Sequence, residues 1–502
     1  MTLKISGEHR YALPMVPIPE ALALVDSAAA ERLHVLPLEV TSAGTLVLMA
    51  QNPQDWMCAD ELRALTQRSI ELIPSTVGDL TAEIRRAYGF TGKIAELSSR
   101  CEEAEQGRES PDLPQDDSPA AGIVDGLIAQ AVNERASDIH IEPEERESRV
   151  RFRIDGRLIE ELPLAKAAHP SVTARIKIMA GMDISEKRLP QDGRIVKEFE
   201  GRSLDLRVST LPTVYGEKTV LRILDPCQTQ LGLENLGCTP RDLEKIKELL
   251  QYPDGLILNT GPTGSGKTTT LYAMLRRLNL AQYNAVAVED PVEYHIPGVT
   301  QVQVNEKSGL TFGTALRSIL RQDPDIILVG EIRDAETAML AVRAALTGHL
   351  VLATVHANDA PSAPFRLVDM GVPPYLLSTV LRGVMAQRLI RKLCASCRQP
   401  LSAPDGLAPI IPAGVPIYRA AGCACCSGQG YRGRCALFQV MPVGDEIAAL
   451  IASGGTSAEL RAAAIEGGMS TLRQAALEKV LEGVTGLEEA EAVVGGSFCR
   501  DD

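Results

Sequence analysis

The octapeptide Gly261-Pro262-Thr263-Gly264-Ser265-Gly266-Lys267-Thr268 fits the spacing G-x-x-x-x-G-K-[ST]. That spacing suits a phosphorylated ligand. Glycines let backbone N–H groups come close to phosphate oxygens, and a helix starting there adds partial positive charge. Lys267 then reaches the β- and γ-phosphates and the Thr268 hydroxyl ligates Mg²⁺. An apolar run, Gly255 to Asn259, precedes the loop. Thr269 to Leu278 follows it and reads as a helix, with Thr269 still near the phosphates. A strand, a loop and a helix in that order are what the motif needs. The implied chemistry is binding of a nucleoside triphosphate. The bland alternative is a glycine-rich turn.

Hydrolysis needs further groups. Ile326 to Val329 reads as a buried parallel strand, and Glu331 follows at its end. A carboxylate there is either solvated or a group that orients Mg²⁺ or water at the carboxyl edge of a sheet. A second apolar run, Ala285 to Val288, ends in Glu289-Asp290-Pro291-Val292-Glu293-Tyr294. So many carboxylates at one strand end are costly unless something cationic shares the site. Glu293 is the candidate general base for an attacking water. A third run, Leu350 to Val355, is bracketed by His349 and His356 in a chain with only 7 histidines. A lone histidine is usually structural; this pairing puts a functional reading beside that one, with His356 as the candidate.

Six of the 11 cysteines fall between Cys394 and Cys435. Cys394-x-x-Cys397 and Cys423-x-x-Cys426 form two knuckles whose separation suits Zn²⁺ held by four thiolates. Four protein ligands leave no open position, so the site reads as structural. Cys425 and Cys435 read as thiols outside the ligand set.

The chain carrying these groups has 502 residues, a length that favours three or more domains. Its 45% apolar content is ample for packed cores. A net charge of −14 makes a poor nonspecific nucleic-acid ligand, because phosphate neutralisation supplies most of that affinity. No apolar stretch approaches the roughly 18 residues that span a bilayer. The start, Met1 to Met15, lacks the charged-then-apolar order of a signal peptide. These features predict a cytosolic chain whose membrane attachment goes through a partner.

The segments GPTGSGKTTT (261–270), VEDPVEY (288–294), LRSILRQDPDIILVGEIRD (316–334) and TGHLVLATVHANDA (347–360) resemble the Walker A, Asp, Walker B and His boxes of the secretion ATPases. These are the hexameric motors of type II secretion and type IV pilus assembly. Upstream, ASDIHIEP (136–143), LPQDGRI (189–195), RVSTLP (207–212) and GEKTVLRILD (216–225) resemble that family's second N-terminal domain. The resemblance implies an α/β fold: a RecA-like P-loop ATPase domain with a zinc-binding insertion, after two mixed α/β N-terminal domains. It implies ATP, Mg²⁺ and Zn²⁺ as cofactors. Glu293 becomes the catalytic glutamate and Glu331 the Walker B glutamate, with Arg207, Arg222, Arg317 and Arg321 acting on phosphates. Arginine suits that role, being forked and always charged.

The resemblance and the composition divide the chain into residues 1–90, 91–118, 119–230 and 231–502. The first docks on an inner-membrane secretion protein. The second, acidic and rich in Pro and Ser, reads as a flexible linker. The third supplies arginines. The last is the ATPase, with the tetracysteine subdomain at 390–438. Helices are predicted at Pro19 to Glu31, Pro53 to Thr66, Leu80 to Tyr88, Ile123 to Glu134 and Ser457 to Glu482. Strands are predicted at Val35 to Val40, Gly44 to Met49, Arg149 to Ile154 and Leu204 to Ser209. The expected assembly is a homo-hexamer pushing on an inner-membrane platform protein that builds a pseudopilus. The expected location is cytoplasmic, peripheral to the inner membrane. A pilus-assembly ATPase is the nearest alternative. A DNA translocase is disfavoured by the charge, and a non-hydrolysing scaffold by the intact boxes.

Overall fold

A computed structural model describes residues 19–22, 24–41, 44–75, 80–88, 94, 97–98, 101, 118–199, 201–224, 231–278, 280–402, 411, 415–426, 428–496 and 498. Contacts divide the chain into two compact units, Met1–Asp225 with Ala421–Gly430, and Pro226–Ala420 with Tyr431–Asp502.

The first unit contains two sheets. β1 (Val35–Val40) pairs antiparallel with β2 (Leu46–Ala50), which pairs parallel with β3 (Ile70–Pro74). The predicted helix from Pro19 is instead two, Pro19–Leu22 and Ser27–Leu33. Asp26 divides them, because its side chain accepts from Ala29 N at 2.7 Å and starts a new helix. Asp55 likewise delays the next helix to Trp56–Thr66. β3 escapes sequence reading because Ile70 to Ile73 are all half-buried and Pro74 is exposed, with no alternation to detect.

β4 (Ala136–Pro143), β5 (Glu147–Ile154), β6 (Arg157–Ala165), β7 (Gln191–Phe199), β8 (Arg202–Thr213) and β9 (Gly216–Leu224) form the second sheet. Its order is β6-β5-β4-β9-β8-β7, antiparallel throughout. Val150 and Phe152 alternate with arginines, so one face of β5 is apolar and packs with helices Pro119–Asn133 and Ala168–Met179. Part of the expected linker joins this core: Ile94 and Cys101 are buried in it, and Ser98 Oγ accepts from Ala165 N at 2.9 Å. Residues 102–117 of that linker lie outside the described residues, as do 225–230 of the connection between the units.

The second unit is built on β10 (Gly255–Thr260), β11 (Ala285–Glu289), β12 (Val299–Gln303), β13 (Ile326–Val329), β14 (Leu350–Val355), β15 (Leu381–Leu393) and β18 (Tyr431–Pro442). Their order is β12-β11-β13-β14-β10-β15-β18. All neighbours are parallel except β18, which runs antiparallel to β15. β10, β11, β13 and β14 are buried at every position, which is why they read as unbroken apolar runs. Parallel pairing brings their carboxyl ends to one edge. β15 and β18 lead into a small insertion holding the hairpin β16 (Gln399–Leu401) and β17 (Ile417–Arg419). The predicted C-terminal helix is two, Ser457–Glu466 and Leu472–Leu481, because Gly467-Gly468 end the first and Thr471 caps the second. Among the described residues no helix is long and apolar enough to cross a membrane.

Candidate functional site

The loop after β10 returns into the helix Lys267–Arg277. Gly261 (φ 154°) sits so close to β15 that a Cβ would meet Gln387 O at 2.5 Å. Gly266 (φ 86°) would meet Gln387 Nε2 at 2.9 Å. Gln387 is buried, and its Oε1 accepts from Thr270 Oγ1 at 2.8 Å and Asn259 Nδ2 at 3.3 Å. A single side chain from β15 thus seats the base of the loop. Lys267 Nζ donates to Gly261 O at 2.9 Å and Pro262 O at 3.0 Å. Burial lowers the lysine's pKa; Glu331 opposes that and Arg388 adds to it.

Glu331 follows β13 and accepts from Arg333 at 2.7 Å and from His356 Nε2 at 2.8 Å. Burial disfavours its charge, yet Arg333, His356 and Lys267 together hold the carboxyl below its ordinary range. His356 Nδ1 faces Gly261 O at 3.2 Å. Both partners of the ring are acceptors, and the ring bridges the P-loop and Glu331. Arg333 also approaches Asp290 at 4.0 Å, and so is a cation shared by the acidic strand ends. His349 is engaged elsewhere. Its Nδ1 lies 2.9 Å from Ala344 O and 3.1 Å from Thr347 Oγ1, at the end of the preceding helix.

Thr263, Gly264, Ser265, Gly266, Lys267, Thr268, Thr269, Glu293, Glu331 and His356 line one cleft of about 440 Å³. Gly261 and Pro262 form the loop's entry, facing Lys267. Arg333 and Arg434 also line the cleft. Neither stands out in the sequence by itself, although GEIRD and GYRGRC carry them in recognisable segments. Arg317 and Arg321 do not line it: Arg317 pairs with Glu336, and Arg321 donates to Arg317 O at 2.8 Å. Arg207 and Arg222 belong to the other unit, as a cross-strand pair of β8 and β9. Arg222 Nε donates to Asp138 at 3.0 Å.

The sulfurs of Cys394, Cys397, Cys423 and Cys426 all lie within 4.8 Å of one another. Cys426 Sγ accepts from Cys423 N at 3.2 Å and Gly430 N at 3.1 Å. Four converging sulfurs are compatible with tetrahedral Zn²⁺. Cys425 and Cys435 stand outside the cluster, Cys425 exposed and Cys435 buried on β18.

Residues 114–492 match the family model described as Type II/IV secretion system protein, and residues 12–94 match the MshEN domain. The chain is 49% identical to Type II secretion system protein E of Dickeya dadantii, over 78% of this chain and 79% of that one. It is 42% identical to the Type IV pilus assembly ATPase PilB of Myxococcus xanthus, over 97% of this chain and 89% of that one. Among solved structures, it resembles the pilus retraction motor PilT with bound ADP. The TM-score there is 0.50 at 26% identity, covering 76% of this chain and 97% of that one.

Proposed function

The chain belongs to the Type II/IV secretion system protein family, and on that footing we propose that it is the ATP-hydrolysing motor of a type II secretion system. The observation that carries this reading is the single cleft shared by the P-loop, Glu293, Glu331 and His356. Lys267 leaves its loop carbonyls for the β- and γ-phosphates of ATP. Glu293 takes the proton of the attacking water. Glu331, oriented by His356 and Arg333, completes the acidic side of the site. Mg²⁺, held through Thr268, would neutralise charge developing on the transferred phosphoryl group. Arg333 and Arg434 add positive charge within the cleft, where a loose transition state needs it.

Arg207, Arg222, Arg317 and Arg321 act in the assembled ring on this reading, which makes a homo-hexamer the active form. The N-terminal region, residues 1–90, docks on an inner-membrane secretion protein. The ATPase domain, residues 231–502, drives a platform protein that extends a pseudopilus. The motor works from the cytoplasmic side, held at the inner membrane by those partners. Zn²⁺ at the tetracysteine cluster would cross-link the insertion.

A second reading, pilus assembly, is favoured by the near full-length similarity to a pilus ATPase. Deleting the gene separates the two. Secreted proteins held in the periplasm, with surface pili intact, support the secretion motor. Loss of pili with normal secretion overturns it.

A further inference from the structure

Glu289 closes β11 with 3% of its surface exposed, and Tyr272, on the P-loop helix, has 0%. Both line the cleft. Tyr272 Oη donates to Glu289 Oε2. With its proton committed there, the phenol oxygen is free to accept, and it accepts from Gln301 Nε2 at 3.3 Å. Gln301 Nε2, from β12, donates to Glu289 Oε1 at 3.1 Å and to Tyr294 O at 3.1 Å. Gln301 Oε1 accepts from Ile296 N at 2.8 Å. The rings of Tyr272 and Tyr294 meet edge to face with centroids 4.5 Å apart. These contacts join the helix that begins with Lys267 and Thr268 to the loop that carries Glu293. Both oxygens of Glu289 are engaged and shielded from the cleft's solvent, which argues against its serving as the base itself.

We propose that Tyr272 and Glu289 are positioning residues for hydrolysis: Glu289 orients the phenol, and the phenol, through Gln301 and the Tyr294 ring, fixes the loop that carries Glu293 against the P-loop helix. The distance from base to phosphate is then set by one side chain of the helix that binds the phosphate. A buried network whose members are all satisfied has the rigidity this requires. The proposal rests on the reading of Glu293 as the general base.

Steady-state ATPase kinetics on the full chain test it, with the stoichiometry of a fluorescent ATP analogue counting folded sites. Tyr272→Phe keeps the ring and removes the phenol. It should lower kcat about tenfold to a hundredfold, the scale of a misplaced reacting group, while KM stays within about twofold and binding stoichiometry is full. Glu289→Gln keeps an oxygen for the phenol and should lose only a few-fold in kcat. The double variant should be no worse than Tyr272→Phe, since both act through one bond. Wild-type kcat in Tyr272→Phe overturns the proposal. So does a Glu289→Gln enzyme as inactive as Glu293→Gln, which would make Glu289 a reacting group, and so do losses that multiply in the double variant. Should Tyr272→Phe yield no folded protein, Glu289→Leu releases the phenol without removing it and carries the same expectation and the same overturning result. Glu293→Gln, run in parallel, tests the underlying reading separately: wild-type turnover there removes the base itself, whatever Tyr272 does.

Discussion

Lys267 is held by two carbonyls of its own loop and partly withdrawn from water, so its charge is costly until a phosphate takes those carbonyls' place. Lys267→Ala should therefore cut turnover by on the order of a hundredfold or more, and near-normal hydrolysis in that variant would end the P-loop assignment. Glu293→Gln should leave nucleotide affinity close to wild type and stop cleavage; single-turnover hydrolysis of bound ATP checks it. Glu289 allows a prediction about pH. Burial raises its pKa; Tyr272 and Gln301 oppose the rise and the charge of Glu293 adds to it. An acid whose folded pKa lies above its unfolded one supports the fold fully below the unfolded value. That support is lost as pH rises through the folded one. Glu289→Gln lacks this loss. Its melting temperature relative to wild type should climb as pH rises from about 4, the ordinary glutamate range, and then level off. A difference that falls with pH would contradict the sign.

At the scale of elements, the parallel pairing of β10, β11, β13 and β14 does what no local sequence does: it carries Lys267, Glu293, Glu331 and His356 to one edge from segments far apart in the chain. The strand ends are then joined crosswise. His356 spans from Glu331 to Gly261, and Gln387 on β15 supports the loop from below. In the insertion between β15 and β18, Ile411 and Ile417 are buried against the C-terminal helices, and a metal at the tetracysteine cluster would tie its two knuckles together. One Zn²⁺ per chain is expected by elemental analysis. Cys423→Ser should lose it and lower the melting temperature by several degrees, while a metal-free protein of unchanged stability would remove the metal from the account.

For the whole molecule the central question is where four arginines act. Arg317 and Arg321 are engaged on their own helix and by Glu336, away from the cleft, and Arg207 and Arg222 lie in the other unit. If they meet the phosphates only within a ring, turnover per subunit should rise with protein concentration and with forced hexamerisation. Holding charged groups in place lowers a barrier by several kcal/mol, so a loose monomer should be slow. A flat concentration profile, or full activity in Arg207→Ala plus Arg222→Ala, would leave a self-contained ATPase instead.

Much of the site is legible in the sequence alone, because phosphate chemistry fixes residue types at short spacing. The P-loop lies in eight consecutive residues, and the strand-end carboxylates follow apolar runs whose burial on both faces the sheet bears out. The cysteine knuckles are legible for a like reason, each pair of sulfurs lying close in sequence. Tertiary structure decided what depends on contacts between distant segments. It separated His356 from His349, two residues that look alike at the ends of β14, by giving one a carboxylate and the other a helix end. It brought Arg333 and Arg434 into the cleft and kept Arg317 and Arg321 out of it. It also told apart the carboxylates after β11, which sequence could only group. Asp290 faces an arginine, Glu293 opens to the cleft, and Glu289 is buried against Tyr272 and Gln301. Charge and spacing can name the residues that do chemistry; which of them acts and which holds another in place depends on burial and on partners that only the folded sheet supplies.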